Sequence, residues 1–501
     1  MWCDELYTVW VSRLPADSFF TALSSWGHPP LYYLLGRVWF VISSSDAWSR
    51  SISFVAGVAL IFLIFVVGKE LFSRQVGLWA AGLASLSPLL VSYSRDATVY
   101  SWLTTLTLLS FYLLTRSIMK GGWQNWGLFT IVAAIAIFSH LFSFLLLLAF
   151  AGAYFILRER DKKSFAPFMA SELILAAAFV AAWLISRNAD GLINVKFPLK
   201  IILVKLVLIP YVMLGGGFND FGAGIGGTIV RYGAGRPRFL AALLFILVVV
   251  PLFGIFWRRK ALRRTFLSRR AIALVFFTAV LSVIPVILHN VLDIPDQPSQ
   301  RFYLWAAPTF LLLVALGIAS LSTRGKMIAG TILIAGFSTM TVWGVFFYHP
   351  LDFKTPLTFV STKYQKSDLL YCPVYDISVL ATGHYLPQDT KMAGLLLPAK
   401  QSPGEYYFLP DDNDLFAYTA ENPKTIDAKY LTSGDDLKRR ARNSLKGTDR
   451  LWVVVFYDDN GNEYCPGCDV LSSVLAGGWQ EQTWSFDSGK VYLYTRLPAR
   501  T

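Results

Sequence analysis

The sequence predicts a mainly α protein: a polytopic bundle of transmembrane helices followed by a small C-terminal α/β domain. Three observations carry this reading. Apolar residues make up 55% of the 501-residue chain and charged residues only 15%, against roughly 25% charged in soluble domains. A succession of apolar runs approaches or exceeds the ~18–20 residues that cross a bilayer. From about residue 350 the character changes: acids, Gly and Pro multiply, and short apolar or alternating runs read as strands.

These facts exclude a large soluble core for the first 350 residues. The net charge of +13 does not call for a nucleic-acid partner, because much of the excess sits in short loops between spans, where positive charge sets orientation. Four cysteines are too few for a disulfide framework. Cys465 and Cys468, in C-P-G-C, suit a small loop disulfide in an oxidising compartment. A redox motif there would need a preceding strand and a following helix.

Taken in order, residues 1–50 read as an amphipathic segment rather than a span. Leu6, Val9, Trp10 and Leu14 form a helical stripe. Pro29-Pro30 suits a helix start. The aromatic-rich run Leu31–Ile42 is short for a span and fits a helix at the membrane surface. Ten spans follow at about 50–69, 76–92, 99–116, 125–139, 141–157, 167–186, 238–257, 271–288, 302–321 and 326–347. The stretch 200–215, with Lys205 and Pro210, reads as a re-entrant or surface helix. Residues 349–501 form the third region, with strands at Leu451–Phe456 and Lys490–Tyr494 and helices at Ile377–Leu386 and Asp469–Ala476.

With these ten spans, Lys69, Arg74, Arg116, Lys120, the Arg158–Lys163 cluster, the basic run 258–270, Arg324 and Lys326 all fall on one side, which the positive-inside rule makes cytoplasmic. The opposite, extracytoplasmic side then holds residues 1–50, Ser92–Thr98, the neighbourhood of His140, the long loop 187–237, the loop 289–301 and everything after 348. The segment 50–69 would enter from the outer face, which leads us to expect a further span ahead of Met1.

A reaction at the outer face can use only what faces it: Asp4, Glu5, His28, Arg50, Arg95, Asp96, Tyr100, His140, Arg301 and Tyr303 among others. Each has a structural reading too. Asp4-Glu5 suits a helix N-terminus. Arg95 suits headgroup contact and Asp96 a helix N-cap. His140 fits a helix end, and Arg301 a flanking charge. Asp458-Asp459-Asn460-Gly461 reads as a hairpin turn rather than a calcium loop, whose later acids it lacks.

The order of these features is more specific than its parts. W-x-D-E stands at Trp2–Glu5, H-P-P-L-Y-Y at His28–Tyr33, and Arg50 precedes the next span. S-P-x-x-x-x-Y-S-R-D follows at Ser87–Asp96, then Tyr100, and R-x-Y at Arg301–Tyr303 with Pro308. This resembles the bacterial GT-C glycosyltransferases of family 39, which include protein O-mannosyltransferases and lipid A aminoarabinose transferases. The resemblance covers nearly the whole chain and is best between residues 2 and 120. Family members carry a span ahead of W-x-D-E.

The resemblance implies a GT-C fold and transfer of a sugar from a polyprenyl-phosphate donor to an acceptor glycan, lipid or protein at the outer face of the cytoplasmic membrane. It implies Asp4 as catalytic base with Glu5 beside it. Arg95 and Arg301, with Arg50 and His28, would bind the donor phosphate. Asp96, Tyr100, Tyr303 and His140 would bind sugar or substrate. A base without a covalent intermediate implies inversion. Where some relatives place a lysine before the proline of the surface helix, this chain has His28-Pro29. No cofactor is called for. A divalent metal is left open, with no Cys/His set at metal-site spacing. The alternative is a transporter or flippase of lipid-linked sugars, which predicts ionisable groups near the bilayer midplane and paired broken spans.

Overall fold

The computed structural model describes residues 3–43, 45–158, 162–186, 206, 209–210, 213–214, 268–291, 300–346, 352–371, 381, 384–386, 391–392, 396–398, 406–408, 431–432, 438, 442–443, 445–457, 463–464 and 468–498. The chain divides into two compact units, one made of Met1–Ala22 with His349–Thr501 and the other of Leu23–Tyr348.

In the first unit, α1 (Cys3–Arg13) is followed by α2 (Ala16–Trp26), which runs on into the second unit after Ala22. The Tyr7 hydroxyl fastens α2 by donating to Ala22 O at 3.3 Å. The expected stripe Leu6, Val9 and Leu14 is buried, but so are Thr8, Val11 and Ser12. A helix can bury these hydroxyls because each finds a carbonyl one turn back: Thr8 donates to Asp4 O at 2.8 Å and Ser12 to Thr8 O at 2.7 Å. Burial pushes the Tyr7 phenol pKa upward.

The second unit carries α3 (Leu31–Trp39), α4 (Asp46–Leu71), α5 (Arg74–Ser85), α6 (Pro88–Ser94), α7 (Val99–Lys120), α8 (Trp123–Ile137), α9 (Leu145–Leu157), α10 (Phe165–Ser186), α11 (Arg269–Val291), α12 (Ala307–Ala319) and α13 (Thr323–Phe346). These follow the expected spans. The helices at Asp46–Leu71, Phe165–Ser186 and Thr323–Val342 are long and apolar enough to cross a membrane on their own. Large apolar side chains such as Phe54, Phe62 and Leu173 are exposed on them, as a lipid-facing surface requires. This is a multi-pass membrane protein. The expected span 238–257 lies outside the described residues, as do most of 200–215 and Cys465.

The span expected at 76–92 is broken. Its two helices, α5 and α6, meet at 60°. Pro88 has no N–H to give the preceding turn, and Ser87 caps the new helix by accepting from Leu90 N at 3.4 Å. The freed carbonyl of Leu86 is met by Thr341 Oγ1 of α13 at 2.8 Å.

The C-terminal part of the first unit is a mixed sheet between two helices. Its strands are β1 (Leu369–Tyr371), β2 (Lys391–Met392), β6 (Arg450–Tyr457), β7 (Glu463–Tyr464), β8 (Trp479–Phe486) and β9 (Gly489–Arg496), in the order β2-β1-β6-β9-β8 with β7 also on β6. The short strands β3 (Leu396–Pro398), β4 (Tyr406–Phe408) and β5 (Leu431–Thr432) pair separately. Leu451, Val453 and Val455 of β6 pack with Leu471 and Leu475 of α15 (Cys468–Leu475). Their alternates turn to α14 (Lys354–Lys363), where Phe456 meets Phe353 at 4.7 Å and Trp452 approaches Phe359. The two-residue period of a strand buried on both faces accounts for this division.

Candidate functional site

Within the second unit, the residues singled out between His28 and Tyr303 gather where helices are interrupted. Gly27, at φ 71°, ends α2 in the left-handed conformation that glycine adopts without penalty. His28 follows, its N–H on Leu23 O at 3.0 Å. Leu31, the first residue of α3, donates its N–H to Phe138 O at 3.2 Å. That bond ties the H-P-P turn to the break between α8 and α9, where His140 stands.

His140 caps the 3-10 turn Leu141–Phe144, its Nδ1 accepting from Phe142 N at 3.2 Å. A ring nitrogen that accepts carries no proton, so the neutral imidazole bears its proton on Nε2. Ring contacts radiate from it. Tyr100 lies at 5.9 Å between centroids and Trp305 at 6.3 Å, and Tyr93 is 5.7 Å beyond Tyr100. His28 contacts Tyr33 at 5.6 Å, and Tyr33 contacts Tyr32 at 6.0 Å. The 3-10 segment Gln300–Ala306, which holds Arg301 and Tyr303, packs on α7. Tyr303 and Trp305 are buried.

Two further bonds set the position of the Arg95-Asp96 turn. Ser53 of α4 donates to Thr98 O at 3.0 Å, and Ser101 of α7 donates back to Ser53 O at 3.0 Å. Arg50 lies on the turn of α4 before Ser53. Gly57 lets α6 approach, since a Cβ there would stand 2.6 Å from Ser94 Cβ. Arg95 is exposed at the C-terminal end of α6. The expected N-cap role for Asp96 is not what the structure shows. Thr98 occupies that position, with extended φ −130°, and Asp96 instead accepts Thr98 N on its carbonyl at 2.8 Å.

Asp4 and Glu5 lie in the first turn of α1, in the other compact unit. Asp4 is partly exposed and Glu5 buried. Trp2 lies outside the described residues, as does the Arg301 side chain. Among the described residues no group of three or more His, Cys, Asp or Glu side chains forms a metal-ligand cluster.

Sequence reasoning missed Tyr93 and Trp305, although both sit inside motifs it used, two residues from Arg95 and Tyr303. It also missed Glu172, an acid inside α10 whose Oε1 is buried without a hydrogen bond among the described residues. Thr130 of α8 donates to the neighbouring Ser171 at 2.8 Å.

The arrangement suits an anionic, sugar-bearing ligand. Rings at stacking distance offer flat apolar faces and hydroxyls, and arginines match phosphate as bidentate donors. Residues 27–185 match the family described as dolichyl-phosphate-mannose-protein mannosyltransferase. That stretch contains His28, Arg50, Arg95, Asp96, Tyr100 and His140. The fold is similar to that of ArnT from Cupriavidus metallidurans bound to undecaprenyl phosphate, at 12% identity over 99% of this chain and 94% of the other, with a TM-score of 0.58. The apo state of the same protein matches at 12% identity over 98% and 93%, with a TM-score of 0.53. The archaeal oligosaccharyltransferase AglB from Archaeoglobus fulgidus, in complex with an inhibitory peptide and a dolichol-phosphate, gives 11% identity over 99% and 70%, with a TM-score of 0.47. No curated protein sequence matches. Residues 27–185 thus resemble the protein mannosyltransferase family, and the fold of the chain is similar to that of ArnT.

Proposed function

We propose that the protein transfers a sugar from a polyprenyl-phosphate donor to an acceptor at the outer face of the cytoplasmic membrane, with inversion at the anomeric carbon. The single observation that carries this reading is the ladder Tyr93–Tyr100–His140–Trp305, built from four separate segments beside the turn that bears Arg95. The undecaprenyl phosphate bound to ArnT supports the choice of donor. Asp4 takes the proton of the acceptor hydroxyl. The acceptor oxygen then forms a bond to the anomeric carbon as the carbon–oxygen bond to phosphate breaks. The lipid phosphate leaves with that electron pair.

Arg95 and Arg301 stabilise the charge that develops on the leaving phosphate, and Arg50 and His28 bind the same group. Asp96, Tyr100, Tyr303 and His140 hold the sugar, and Glu5 orients Asp4. General-base catalysis of this kind contributes about 10²–10⁴-fold. The deciding comparison is wild type against Asp4→Asn for release of polyprenyl phosphate from labelled polyprenyl-phosphate sugars in the presence of envelope extract. A loss of at least ~10²-fold with donor binding intact supports the base. An Asp4→Asn protein as fast as wild type removes it. Failure of well-folded wild type to turn over any donor would favour the transporter reading.

A further inference from the structure

We propose that the membrane unit carries a second lipid site: a pocket for the phosphate of an anionic phospholipid headgroup, at the end of the helices opposite the aromatic ladder. A cavity of about 530 Å³ opens between the C-terminal end of α4, the start of α5, the start of α11 and the C-terminal end of α12, a size within the range of small-ligand sites. Its place in the fold sets it apart from the proposed donor site. Leu71 on its wall lies 18 residues beyond Ser53, which holds the Arg95 turn, or about 27 Å along a continuous helix.

The polar side of this cavity is almost wholly made of donors. Arg269 and Arg270 are both exposed. Each uses one guanidinium N–H on a helix-end carbonyl, Arg270 on Leu71 O at 2.9 Å and Arg269 on Arg158 O at 3.4 Å. That leaves most of five donors on each. Ser73 and Ser268 act as acceptors for Val76 N and Ala271 N at 3.3 Å, so both hydroxyl protons point elsewhere. Gln75 accepts Lys326 Nζ on its oxygen at 3.0 Å, which leaves its amide nitrogen for the cavity.

No carboxylate is among the lining residues. The start of α11 adds a helix N-terminus with its partial positive charge. These donors favour an anionic ligand. The remaining wall is apolar, with Phe72, Val76, Leu316 and Ala319. A donor-lined mouth beside an apolar wall, at the end of four helices of a membrane bundle, fits a phosphate attached to acyl chains better than a free phosphate.

Native mass spectrometry of the full chain in detergent tests this, using phosphatidylglycerol and phosphatidylcholine as probes. Wild type is expected to bind one phosphatidylglycerol at a concentration at least tenfold lower than phosphatidylcholine. Arg269→Gln/Arg270→Gln is expected to lose that preference. Ala319→Trp, which fills the cavity and keeps every charge, is expected to lose it too. Wild type without the preference overturns the site. Ala319→Trp with the preference intact also overturns it, because the lipid would then be following surface charge and not the pocket. Displacement of phosphatidylglycerol by equimolar inorganic phosphate or ATP would refute the lipid assignment in favour of a soluble phosphate. The wild-type and Ala319→Trp arms stand whether or not the arginine variant folds, since Arg270 also holds Leu71.

Discussion

Gly57 controls where the Tyr93-Ser94-Arg95 rim sits, so Gly57→Ala isolates positioning from chemistry. The added Cβ would lie 2.6 Å from Ser94 Cβ and 3.6 Å from Ser101 Oγ. Ordinary carbon–carbon contact is about 3.5–4.0 Å, so the end of α6 must retreat by roughly 1 Å. Overpacking of this size costs about 1–3 kcal/mol, partly offset by the ~1 kcal/mol that alanine gains over glycine inside a helix. The net stability change is therefore small. A misplacement of about 1 Å in a positioned group costs on the order of 10²-fold in rate.

The assay is release of polyprenyl phosphate from labelled donor, alongside thermal unfolding in detergent. The expected result is a large fall in turnover with a modest fall in stability. Gly82→Ala is the matched control: it is also a helical glycine, but a Cβ there meets nothing within 4 Å. It should leave turnover unchanged and raise stability by about 0.5–1 kcal/mol. A Gly57→Ala enzyme that turns over at the wild-type rate would refute the claim that α4 sets the rim.

His140→Ala removes both the ring between Tyr100 and Trp305 and the cap on Phe142 N; His140→Asn restores only the cap, so stability should recover by about 1 kcal/mol while turnover stays low. Trp305→Leu keeps the volume apolar but loses the aromatic face, and donor KM should rise more than kcat falls, read by steady-state kinetics. Glu172→Gln removes a buried carboxyl from the interior of α10 and should leave the protein as stable or more so, with turnover unchanged; loss of turnover would instead tie this acid to the reaction path. In the first unit, Asp368→Ala strips Trp452 Nε1 of its acceptor at 2.8 Å and Arg450 of its partner at 3.5 Å, and should destabilise that unit by about 2–4 kcal/mol, measured by hydrogen exchange of β1 and β6.

Most of the bundle was legible because each span is a long apolar run, and length against bilayer thickness is a one-dimensional test. The sheet was legible where a strand is strongly apolar, as at Leu451–Phe456. The interruptions were not. Ser87-Pro88 lies inside an apolar run, and hydropathy cannot see a missing N–H. The 3-10 turns at Leu141–Phe144 and Gln300–Ala306 have ordinary helical composition; what singles them out is a cap or a packing partner more than a hundred residues away. The same limit hid the ladder. Tyr93, Tyr100, His140 and Trp305 could each be noted as aromatic, but their tilted and edge-on contacts depend on Leu31 holding Phe138 and Ser53 holding Thr98, neither of which leaves a periodic trace. The α1 stripe was read too narrowly for a different reason: Thr8 and Ser12 count as polar by type, yet their i−4 bonds let them be buried.

The interruptions and the ladder have one physical origin. Side chains on continuous spans project sideways into neighbours or lipid, so a site at the end of a bundle needs backbone that turns. Each turn frees carbonyls, and in a membrane these cannot be left to solvent. Here four carbonyls at described breaks accept from another segment: Leu86 O from Thr341, Thr98 O from Ser53, Ala136 O from Ser143 and Phe138 O from Leu31 N. The acceptors at these breaks are thus the anchors that fix the turns bearing His28, Arg95, Tyr100 and His140. Removing one anchor, as in Ser53→Ala, would take away a buried hydrogen bond worth about 0.5–1.5 kcal/mol and release the Arg95 turn as well. Stability and turnover should fall together there, unlike in Gly57→Ala, where turnover falls further than stability.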